Sequence, residues 1–590
     1  MAKCLAVYSS EREIKPLLEA IEKRGGKKGC VILSLGELEA GKRERGLIVK
    51  EYWDYISKQD LRRANNSAID LIQGWYKFDK DFEKAIEFEG ISLGIISFSA
   101  IKGLFNDALR HLTAVSNAVQ KEKPDIVIAG RNCMAGRVVR AAAKKAGIKK
   151  AEFLDLEPEP ALNRWPNVST IKFFELLKKT REIFSGLAKS QGKGRLVFVK
   201  SRGTYLPNVE AALKKNGLSV YSLDLFLLKR MLNPKNMLGF LKARNRMPAY
   251  FADAVKKFES SRGFAENMAF EGMPLDEIFN AGIRRFVDRE WPEFAFLISE
   301  IRALFAKRKP NALLLWTDME VFERICALIA KEQGIPSLVA QHGIFTTEKQ
   351  KERNDRAWIT GFVPMFVDRI AVWGPFFKRE MEKKGISGNM IEVTGTPKFD
   401  SLKSRRFKPA EFRKKIGVEE NETLVTLILS SDPYMQSRML DRAFRALKKY
   451  PDCKFAVKVH PSEAKGKYFR MAEKFGKSAI VLQAEDLYEL MNASALVVVH
   501  ASTVGIEAVA LGKPVIVMTK KHDYGAIYLK GSGLPIVGTQ AGFEKALAGT
   551  SLPKKDFLYN FAFRQDGKAA ERIALLVKRI VSENAKPENE

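Results

Sequence analysis

The chain has 590 residues, of which 46% are hydrophobic and 29% are charged. This length exceeds one hydrophobic core and predicts two or three domains, and the composition is that of a folded protein rather than a disordered one. The formal net charge of +30 predicts an anionic partner such as a nucleotide, a polyanionic glycan, an acidic lipid or a nucleic acid, with a soluble basic surface as the alternative.

The apolar runs and the cysteines exclude several classes of protein. The longest apolar runs, such as residues 495–499, fall far short of the roughly 20 residues that a membrane helix needs. Residues 1–10 contain one lysine before a short apolar strand, and charges follow at once, so we expect no signal peptide and a cytoplasmic location. The five cysteines are widely spaced with no CxxC pair, which favours core thiols over disulfides or a zinc site.

Strands and helices alternate from the start of the chain, which predicts parallel sheets. In the first third, apolar runs predict strands at residues 3–9, 30–35 and 126–129. Residues 50–112 are mostly helical by their periodicity. The loop after the third strand offers Arg131, Asn132 and Arg137 as polar candidates, for which a structural role is favoured over a binding role.

The pattern of the first third then starts again with a strand at residues 195–201. In both parts a Lys-Pro dipeptide precedes a buried strand, and a glycine ends the helix that follows. The separations are 191 residues from Leu5 to Leu196, 186 from Lys123 to Lys309 and 187 from Gly147 to Gly334. Near-constant spacing favours two copies of one Rossmann-like unit. The alternative is convergence, in which two unrelated α/β segments have the same order of strands, helices and turns.

Polar residues follow several predicted strands in the last third. The strand at residues 424–429 runs into Ser430 and Ser431, and the next strand carries Lys458 before it ends at His460. Because the carboxyl ends of parallel strands meet at one edge of a sheet, these side chains are candidates for phosphate contacts. A plain turn is the alternative in each case.

A similar loop follows an earlier short strand. Thr394, Gly395 and Thr396 lie between that strand and a helix. Their hydroxyl and backbone N–H groups make them further candidates for phosphate contacts. For the loop that Thr394 begins, a plain turn is slightly favoured.

The most informative segment, residues 486–519, reads as helix, strand, tight loop, helix and strand. His500, Ser502 and Thr503 lie in the loop, where backbone N–H groups and hydroxyls bind phosphate readily. Glu507 follows Thr503 by one helical turn, so its carboxylate could accept hydrogen bonds from ribose hydroxyls. The alternative is an ordinary βαβ unit with Ser502 as N-cap and Glu507 solvated.

Residues 500–518 (HASTVGIEAVALGKPVIVM) resemble the donor-site segment of sugar-nucleotide enzymes with the GT-B fold. The pattern is close to CDP-glycerol glycerophosphotransferases, capsule polysaccharide synthesis proteins and, more distantly, UDP-N-acetylglucosamine 2-epimerases. Three further segments occur in the family's order: residues 341–345 (QHGIF), 393–402 (VTGTPKFDSL) and 457–463 (VKVHPSE). The resemblance covers the last half of the chain and implies a nucleotide donor in the C-terminal domain and an acceptor mainly in the domain before it.

The resemblance also implies two catalytic histidines. His342 of the HG motif would lie near the reacting centre, where an imidazole can remove a proton from an acceptor hydroxyl. His460 would approach the donor phosphates and stabilise the leaving group. The epimerases have an additional Asn between this histidine and its proline, which the present chain lacks. A buried histidine that caps its own loop is the alternative for His342.

We therefore predict an α/β protein with a GT-B-like pair of Rossmann-like domains facing a cleft, preceded by an additional Rossmann-like N-terminal domain. The predicted domains are residues 1–190, 191–378 and 379–582, the last with a closing helix, followed by a disordered tail at residues 583–590.

The expected function is transfer of a sugar or polyol phosphate from a nucleotide-activated donor to a glycan or lipid-linked acceptor, in capsule, teichoic-acid-like or other surface polysaccharide synthesis. A UDP-N-acetylglucosamine 2-epimerase and a basic nucleic-acid-binding protein are the alternatives, the latter without a recognition motif. No P-loop, HExxH or carboxylate cluster is present, so we expect no metal and no cofactor. Residues 225–247 mix apolar and basic side chains and could lie on an anionic membrane surface, although packing on their own domain is favoured.

Overall fold

The computed structural model describes residues 3–24, 29–36, 48–155, 194–200, 206–223, 251–345, 366–429, 433–447, 449–460, 465–473, 479–500, 503–519, 532–549 and 555–584. Within these ranges the strands form three sheets of five or six strands and two short hairpins. The segment at residues 225–247, considered above for contact with a membrane surface, lies outside the described residues.

The strands are, in chain order, β1 (Cys4–Tyr8), β2 (Cys30–Ser34), β3 (Ile48–Glu51), β4 (Glu87–Phe88), β5 (Ile91–Ser92), β6 (Ile126–Gly130), β7 (Lys150–Leu154), β8 (Leu196–Lys200), β9 (Ser219–Ser222), β10 (Ala269–Phe270), β11 (Met273–Pro274), β12 (Ala312–Leu315), β13 (Ser337–Ala340), β14 (Arg369–Val372), β15 (Ile391–Val393), β16 (Thr423–Ile428), β17 (Cys453–Lys458), β18 (Ala479–Leu482), β19 (Leu496–Val499), β20 (Val515–Met518) and β21 (Ile536–Val537).

The α-helices are, in chain order, α1 (Ile14–Glu22), α2 (Lys58–Gly74), α3 (Lys80–Ala85), α4 (Leu93–Ile96), α5 (Phe98–Glu122), α6 (Met134–Lys145), α7 (Leu206–Lys215), α8 (Ala252–Ser260), α9 (Arg262–Asn267), α10 (Asp276–Arg285), α11 (Trp291–Arg308), α12 (Val321–Glu332), α13 (Pro375–Glu382), α14 (Pro397–Ser404), α15 (Pro409–Lys415), α16 (Pro433–Leu447), α17 (Lys465–Glu473), α18 (Leu487–Ala493), α19 (Val504–Ala510), α20 (Gln540–Leu547), α21 (Lys555–Ala562) and α22 (Ala569–Glu583).

The strand orders are those of Rossmann-like sheets. The first sheet has the order β3-β2-β1-β6-β7 and the last sheet β18-β17-β16-β19-β20-β21, so in each the chain starts near the middle and then crosses to the other side. The middle sheet has the order β15-β14-β13-β12-β8-β9. Strands such as β12, β13 and β19 are buried along their whole length, as their continuous apolar runs predict.

The chain divides into two compact units. The first contains residues 1–201, 217–337 and 364–367, and so holds the first sheet, both hairpins and strands β8, β9 and β12. The second contains residues 202–216, 338–363 and 368–590, and holds strands β14 and β15, the last sheet and helix α22.

The three sheets confirm the predicted α/β class, with a pair of Rossmann-like sheets preceded by an additional one. The expectation that residues 50–112 are mostly helical misses two features. Strand β3 reaches Glu51, and the β4–β5 hairpin interrupts the helices. Helix α22 ends at Glu583, the first residue of the predicted disordered tail, of which residues 585–590 lie outside the described residues.

Helix α22 begins with a cap supplied by another helix. Asp400 in α14 accepts hydrogen bonds from the backbone N–H groups of Ala569 (3.0 Å) and Ala570 (2.8 Å), one on each carboxylate oxygen. The first N–H groups of a helix have no partner within the helix, and a carboxylate there also favours the helix dipole. The predicted closing helix is therefore fixed to the segment that follows β15.

We expect Asp400→Ala to lower the free energy of unfolding by about 1–2 kcal/mol, the usual cost of losing an N-cap. Asp400→Asn should cost less, because an amide keeps one acceptor oxygen for the two N–H groups. The measurement is urea unfolding followed by circular dichroism. Asp441→Ala, which breaks an exposed pair with Arg445 on the surface of the same unit, is the matched control. Equal effects of Asp400→Ala and Asp441→Ala would contradict the capping role.

Candidate functional site

The strand order of the last, all-parallel sheet reverses between β16 and β19, because the chain runs outward from β16 to β18 and then returns to the other side of β16. Ligands of such sheets bind beyond the carboxyl ends of the strands at this switch point. Of the predicted phosphate contacts there, Ser430, Ser431 and Ser502 lie outside the described residues. His500 follows β19 directly and is buried, and Thr503 is the N-cap of α19 without a capping side-chain bond.

Glu507 lies on α19 with only 4% of its surface exposed, which corrects the expectation of a solvated or half-exposed carboxylate. Lys398 Nζ lies 3.2 Å from its Oε1, and the Tyr488 hydroxyl donates a hydrogen bond of 2.9 Å to its Oε2. The cause of the burial is cover from α14 and α18, which bring these two partners from distant parts of the chain. Buried carboxylates are found where they are paired in this way.

Tyr488 is held in place by its own surroundings. Asp486 caps α18 by accepting from the N–H groups of Tyr488 and Glu489, at 2.9 Å each, and Arg405 contacts both acidic side chains. Burial raises the pKa of Tyr488, and the neighbouring Glu507 raises it further. The phenol therefore keeps its proton, and with it the hydrogen bond to Glu507.

The loop between β15 and α14 combines structural contacts with one unexplained hydroxyl. Gly395 has φ of +86°, and the carbonyl of Thr394 accepts a hydrogen bond of 2.6 Å from Arg572 Nε. The Thr394 hydroxyl contacts backbone carbonyls, as the plain-turn interpretation predicts. Thr396, by contrast, is 2% exposed and its hydroxyl has no hydrogen-bond partner among the described residues.

Lys458 and His460 lie at the carboxyl end of β17. Lys458 is buried, and its Nζ donates to the carbonyl oxygens of Gln483 (2.6 Å) and Glu485 (2.5 Å) in the loop after β18. His460 is half-buried, and its carbonyl accepts from the Gln483 side chain at 3.1 Å. The lysine thus fixes the neighbouring loop, and its predicted contact with phosphate stays a prediction.

His342 is half-buried directly after β13. The residue before it, Gln341, fixes the loop: its Oε1 accepts from the Trp373 N–H (2.8 Å), its carbonyl from the Trp373 indole (2.7 Å), and its Nε2 donates to the Gly343 carbonyl (2.7 Å). The glutamine of the QHG motif is therefore a structural residue. Its buried hydrogen bonds hold His342 at the carboxyl end of β13, an interior strand of the middle sheet.

The structure adds a polar cluster in the first unit that the sequence interpretation missed. At the carboxyl ends of β8 and β12, Lys200 Nζ lies 3.6 Å from Glu323 Oε1, which also accepts from the Trp316 indole at 3.0 Å. Glu323 is 3% exposed, and its second oxygen has no hydrogen-bond partner among the described residues. The strand order of the middle sheet also reverses here, between the parallel strands β8 and β12. The available signal was the polar segment that directly follows the buried strand, from Trp316 to Glu323 (WTDMEVFE).

Within the described ranges, no three His, Cys, Asp or Glu side chains cluster as metal ligands would. Across the same ranges, none of the helices has the length and the apolar character that crossing a bilayer requires. The five cysteines carry free thiols, and three of them, Cys30, Cys133 and Cys326, are buried.

Comparisons with known proteins match the part of the chain that carries this site. A family model described as UDP-N-acetylglucosamine 2-epimerase matches residues 293–578, slightly less than half of the chain. The lipid-A-disaccharide synthase of Syntrophotalea carbinolica is 23% identical over 224 residues, or 37% of this chain and 54% of that protein. The chain thus spans about half the length of this curated relative.

Solved structures of two kinds of enzyme are similar to the chain. A putative UDP-N-acetylglucosamine 2-epimerase from Listeria monocytogenes has a TM-score of 0.42 at 15% identity, over 67% of this chain and 99% of that one. The enzyme from Methanocaldococcus jannaschii in complex with UDP-GlcNAc and UDP has a TM-score of 0.41 at 14% identity, over 65% and 99%. A glycosyltransferase from Rickettsia africae has a TM-score of 0.39 at 13% identity, over 67% and 100%.

We expect Glu507→Ala to destabilise the second unit by about 1–3 kcal/mol, because it leaves a half-buried lysine and a half-buried phenol without their common partner. Lys398→Met should reduce the cost of the glutamate change, so that the double variant is less destabilised than the sum of the two single variants. Urea unfolding measures all three. Glu392→Ala, which breaks the exposed pair with Arg579, is the matched control. Additive single effects would contradict the pairing.

Proposed function

We propose that the chain is an enzyme acting on a nucleotide-activated sugar or polyol phosphate, which binds at the carboxyl edge of the last sheet. The observation that carries this proposal is the arrangement at the β16–β19 switch point. There Glu507 is held in a fixed orientation by Lys398 and Tyr488. Thr396, two residues before Lys398, has a buried hydroxyl with no hydrogen-bond partner among the described residues. The similarity of residues 293–578 to an epimerase family supports a sugar-nucleotide substrate.

In this proposal the donor's charged part lies against the strand ends. The Thr396 hydroxyl and the N–H groups around Gly395 donate to phosphate oxygens from one side, and His500 and Thr503 lie on the other. Ser430, Ser431 and Ser502 are further predicted contacts. Glu507 uses one hydrogen bond on each oxygen, so its remaining lone pairs can accept from ribose hydroxyls. Lys458 supports the phosphate side by holding the loop after β18.

His460 would stabilise the leaving group. As the bond between the transferred group and the nucleotide breaks, negative charge develops on the departing phosphate oxygen, and a donor at the end of β17 lowers the barrier most when that charge is largest. His342 would act as general base. It takes the proton of the acceptor hydroxyl while the acceptor oxygen forms its bond to the transferred group.

Two reactions fit this arrangement. Transfer to a glycan or lipid-linked acceptor is supported by the similarity to a lipid-A-disaccharide synthase, whose name states the synthesis of a disaccharide. Epimerisation of a UDP-N-acetylhexosamine is supported to a similar degree by the epimerase family match. A role in capsule or teichoic-acid-like synthesis, a glycerophosphate donor, a cytoplasmic site and peripheral contact with an anionic membrane rest on the sequence resemblance alone.

We expect one class among CDP, UDP, GDP and CMP conjugates to raise the melting temperature of the protein. A ligand at a hundredfold excess over its dissociation constant stabilises by about 2.7 kcal/mol, which a thermal-shift assay detects readily. Incubation with the stabilising sugar nucleotide then separates the two reactions by product. A 2-epimer formed without acceptor identifies an epimerase, and nucleotide released in step with glycan formation identifies a transferase. If no conjugate binds and duplex DNA binds with a steep salt dependence, the sugar-nucleotide proposal is wrong.

We expect His342→Ala to reduce acceptor-dependent transfer by about 10²–10⁴-fold, the usual contribution of a general base. The dissociation constant of the donor, measured by calorimetry, should stay within about twofold, since the residue does not contact the nucleotide. Gln341→Ala is an informative comparison, because it loosens the loop while leaving the imidazole in place. Transfer at the wild-type rate in His342→Ala would show that the histidine has only a structural role.

A further inference from the structure

The first unit contains two hairpins that share four of eight residues, including the central Phe-Glu-Gly, and have the same turn conformation. Residues 86–93 read IEFEGISL and residues 268–275 read MAFEGMPL, 182 positions apart. Their central Glu-Gly pairs have φ of 47° and 76° in the first hairpin and 52° and 75° in the second. Glutamate rarely adopts positive φ, so two chance occurrences in the same short motif are improbable.

The same agreement extends along both halves of the unit. The first sheet contains the neighbours β2-β1-β6-β7, and the middle sheet contains β9-β8-β12-β13 in the same sequence of steps. The long helices α5 and α11 are each followed directly by a lysine in the left-handed region, Lys123 with φ of 48° and Lys309 with φ of 47°. Both of these lysines precede a proline and a buried strand. These details favour duplication over convergence.

The two halves also contact each other through equivalent residues. Phe82 and Phe264 are 182 positions apart, like the hairpins that follow them, and their rings pack edge to face with centroids 5.0 Å apart. In a symmetric dimer, residues at the two-fold axis contact their own equivalents. This aromatic pair therefore marks a pseudo-two-fold axis within the first unit.

Each hairpin is held by a cation of the other half. The Glu89 carbonyl accepts from Arg302 Nη2 at 2.6 Å, and the equivalent Glu271 carbonyl accepts from Lys145 Nζ at 2.7 Å. Arg302 is itself oriented by Glu332, which occupies the position equivalent to Lys145, 187 residues later. Each half thus supplies a cation to the hairpin of the other half, and an isologous interface requires this reciprocity.

We propose that residues 3–155 and 194–337 are two copies of one unit that form a dimer within a single chain, and that the first copy serves as a built-in partner subunit for the second. The contact that gives this partnership a functional consequence is made by Arg324. Its side chain is 1% exposed and donates to the Ile95 carbonyl of the first copy at 2.6 Å and to the Asp318 carbonyl of the second at 3.0 Å.

Arg324 lies between the rings of Phe98 and Phe366, and the Phe366 N–H donates to Asp318 Oδ2 at 2.7 Å. The first copy thereby fixes the loop that follows β12, at the switch point of the middle sheet. The equivalent arginine of the first copy, Arg137, is only half-buried, so the support runs from the first copy to the second. Arg324 is thus a positioning residue for the loop that follows β12 and for its polar cluster, and any effect on turnover rests on the proposed function.

Hydrogen exchange of the full chain, followed by mass spectrometry, tests the internal dimer. We expect Phe82→Ala and Phe264→Ala each to speed exchange at least tenfold in both hairpins, residues 86–93 and 268–275. Phe444→Ala, which empties a buried site in the second unit, should leave both hairpins protected. Faster exchange confined to the half that carries the substitution would overturn the proposal. If an alanine variant does not fold, Arg302→Met and Lys145→Met test the same reciprocity, each opening the hairpin of the other half.

The positioning role has its own readouts. Arg324→Met should speed exchange of the loop peptide at residues 316–320 at least tenfold, and it should lower kcat for the sugar nucleotide while the donor KM stays within about twofold. Arg324→Lys should restore part of both effects, and Arg137→Met is the matched control. Unchanged loop exchange in Arg324→Met would overturn the role of Arg324. Faster exchange in a chain that turns over no sugar nucleotide would leave the internal dimer standing and refute the proposed function instead.

Discussion

The burial of one carboxylate, Glu507, is the constraint on which the second unit depends. A charged group can stay in the interior only when partners reach it, and here the partners are Lys398 of α14 and Tyr488 of α18. The short helix α14 supplies Lys398 and, half a turn later, Asp400, which caps α22. One segment after β15 therefore aligns the closing helix and the carboxyl edge of the last sheet.

This arrangement changes the meaning of the motif TGTPKFD. The resemblance assigns it to the donor site, yet most of its polar groups are used inside the protein: the Thr394 carbonyl by Arg572, Lys398 by Glu507, and Asp400 by the helix start. The buried Thr396 hydroxyl has no hydrogen-bond partner among the described residues, so of the side chains in this motif it is the candidate for a ligand contact. The motif therefore has a structural role, and its internal hydrogen bonds hold the neighbouring candidate site in a fixed geometry.

The sequence predicted the last sheet well, since buried parallel strands produce short, continuous apolar runs that are bounded by turn residues. The sequence-based prediction failed where the deciding contact joins residues that are far apart in the sequence. Glu507 looked half-exposed because its partner Lys398 is 109 residues away, and the hairpins escaped notice because two-residue strands carry no periodicity. The spacing of Lys123 and Lys309 did suggest duplication, but only the positive φ angles and the reciprocal contacts distinguish it from convergence.

Duplication explains why the polar cluster of Lys200, Trp316 and Glu323 lies in the second copy. Gly136 of α6 occupies the position equivalent to Glu323 of α12, and any side chain there would collide with the carbonyl of Gly130. The helix of the first copy is therefore too close to its strand to hold a side chain, whereas the second copy has room for Glu323, Lys200 and the Trp316 indole. Two identical subunits cannot diverge in this way, because a substitution changes both sites at once. Fusion into one chain removes that restriction, so the first copy can keep the tight packing of a support while the second opens a polar site.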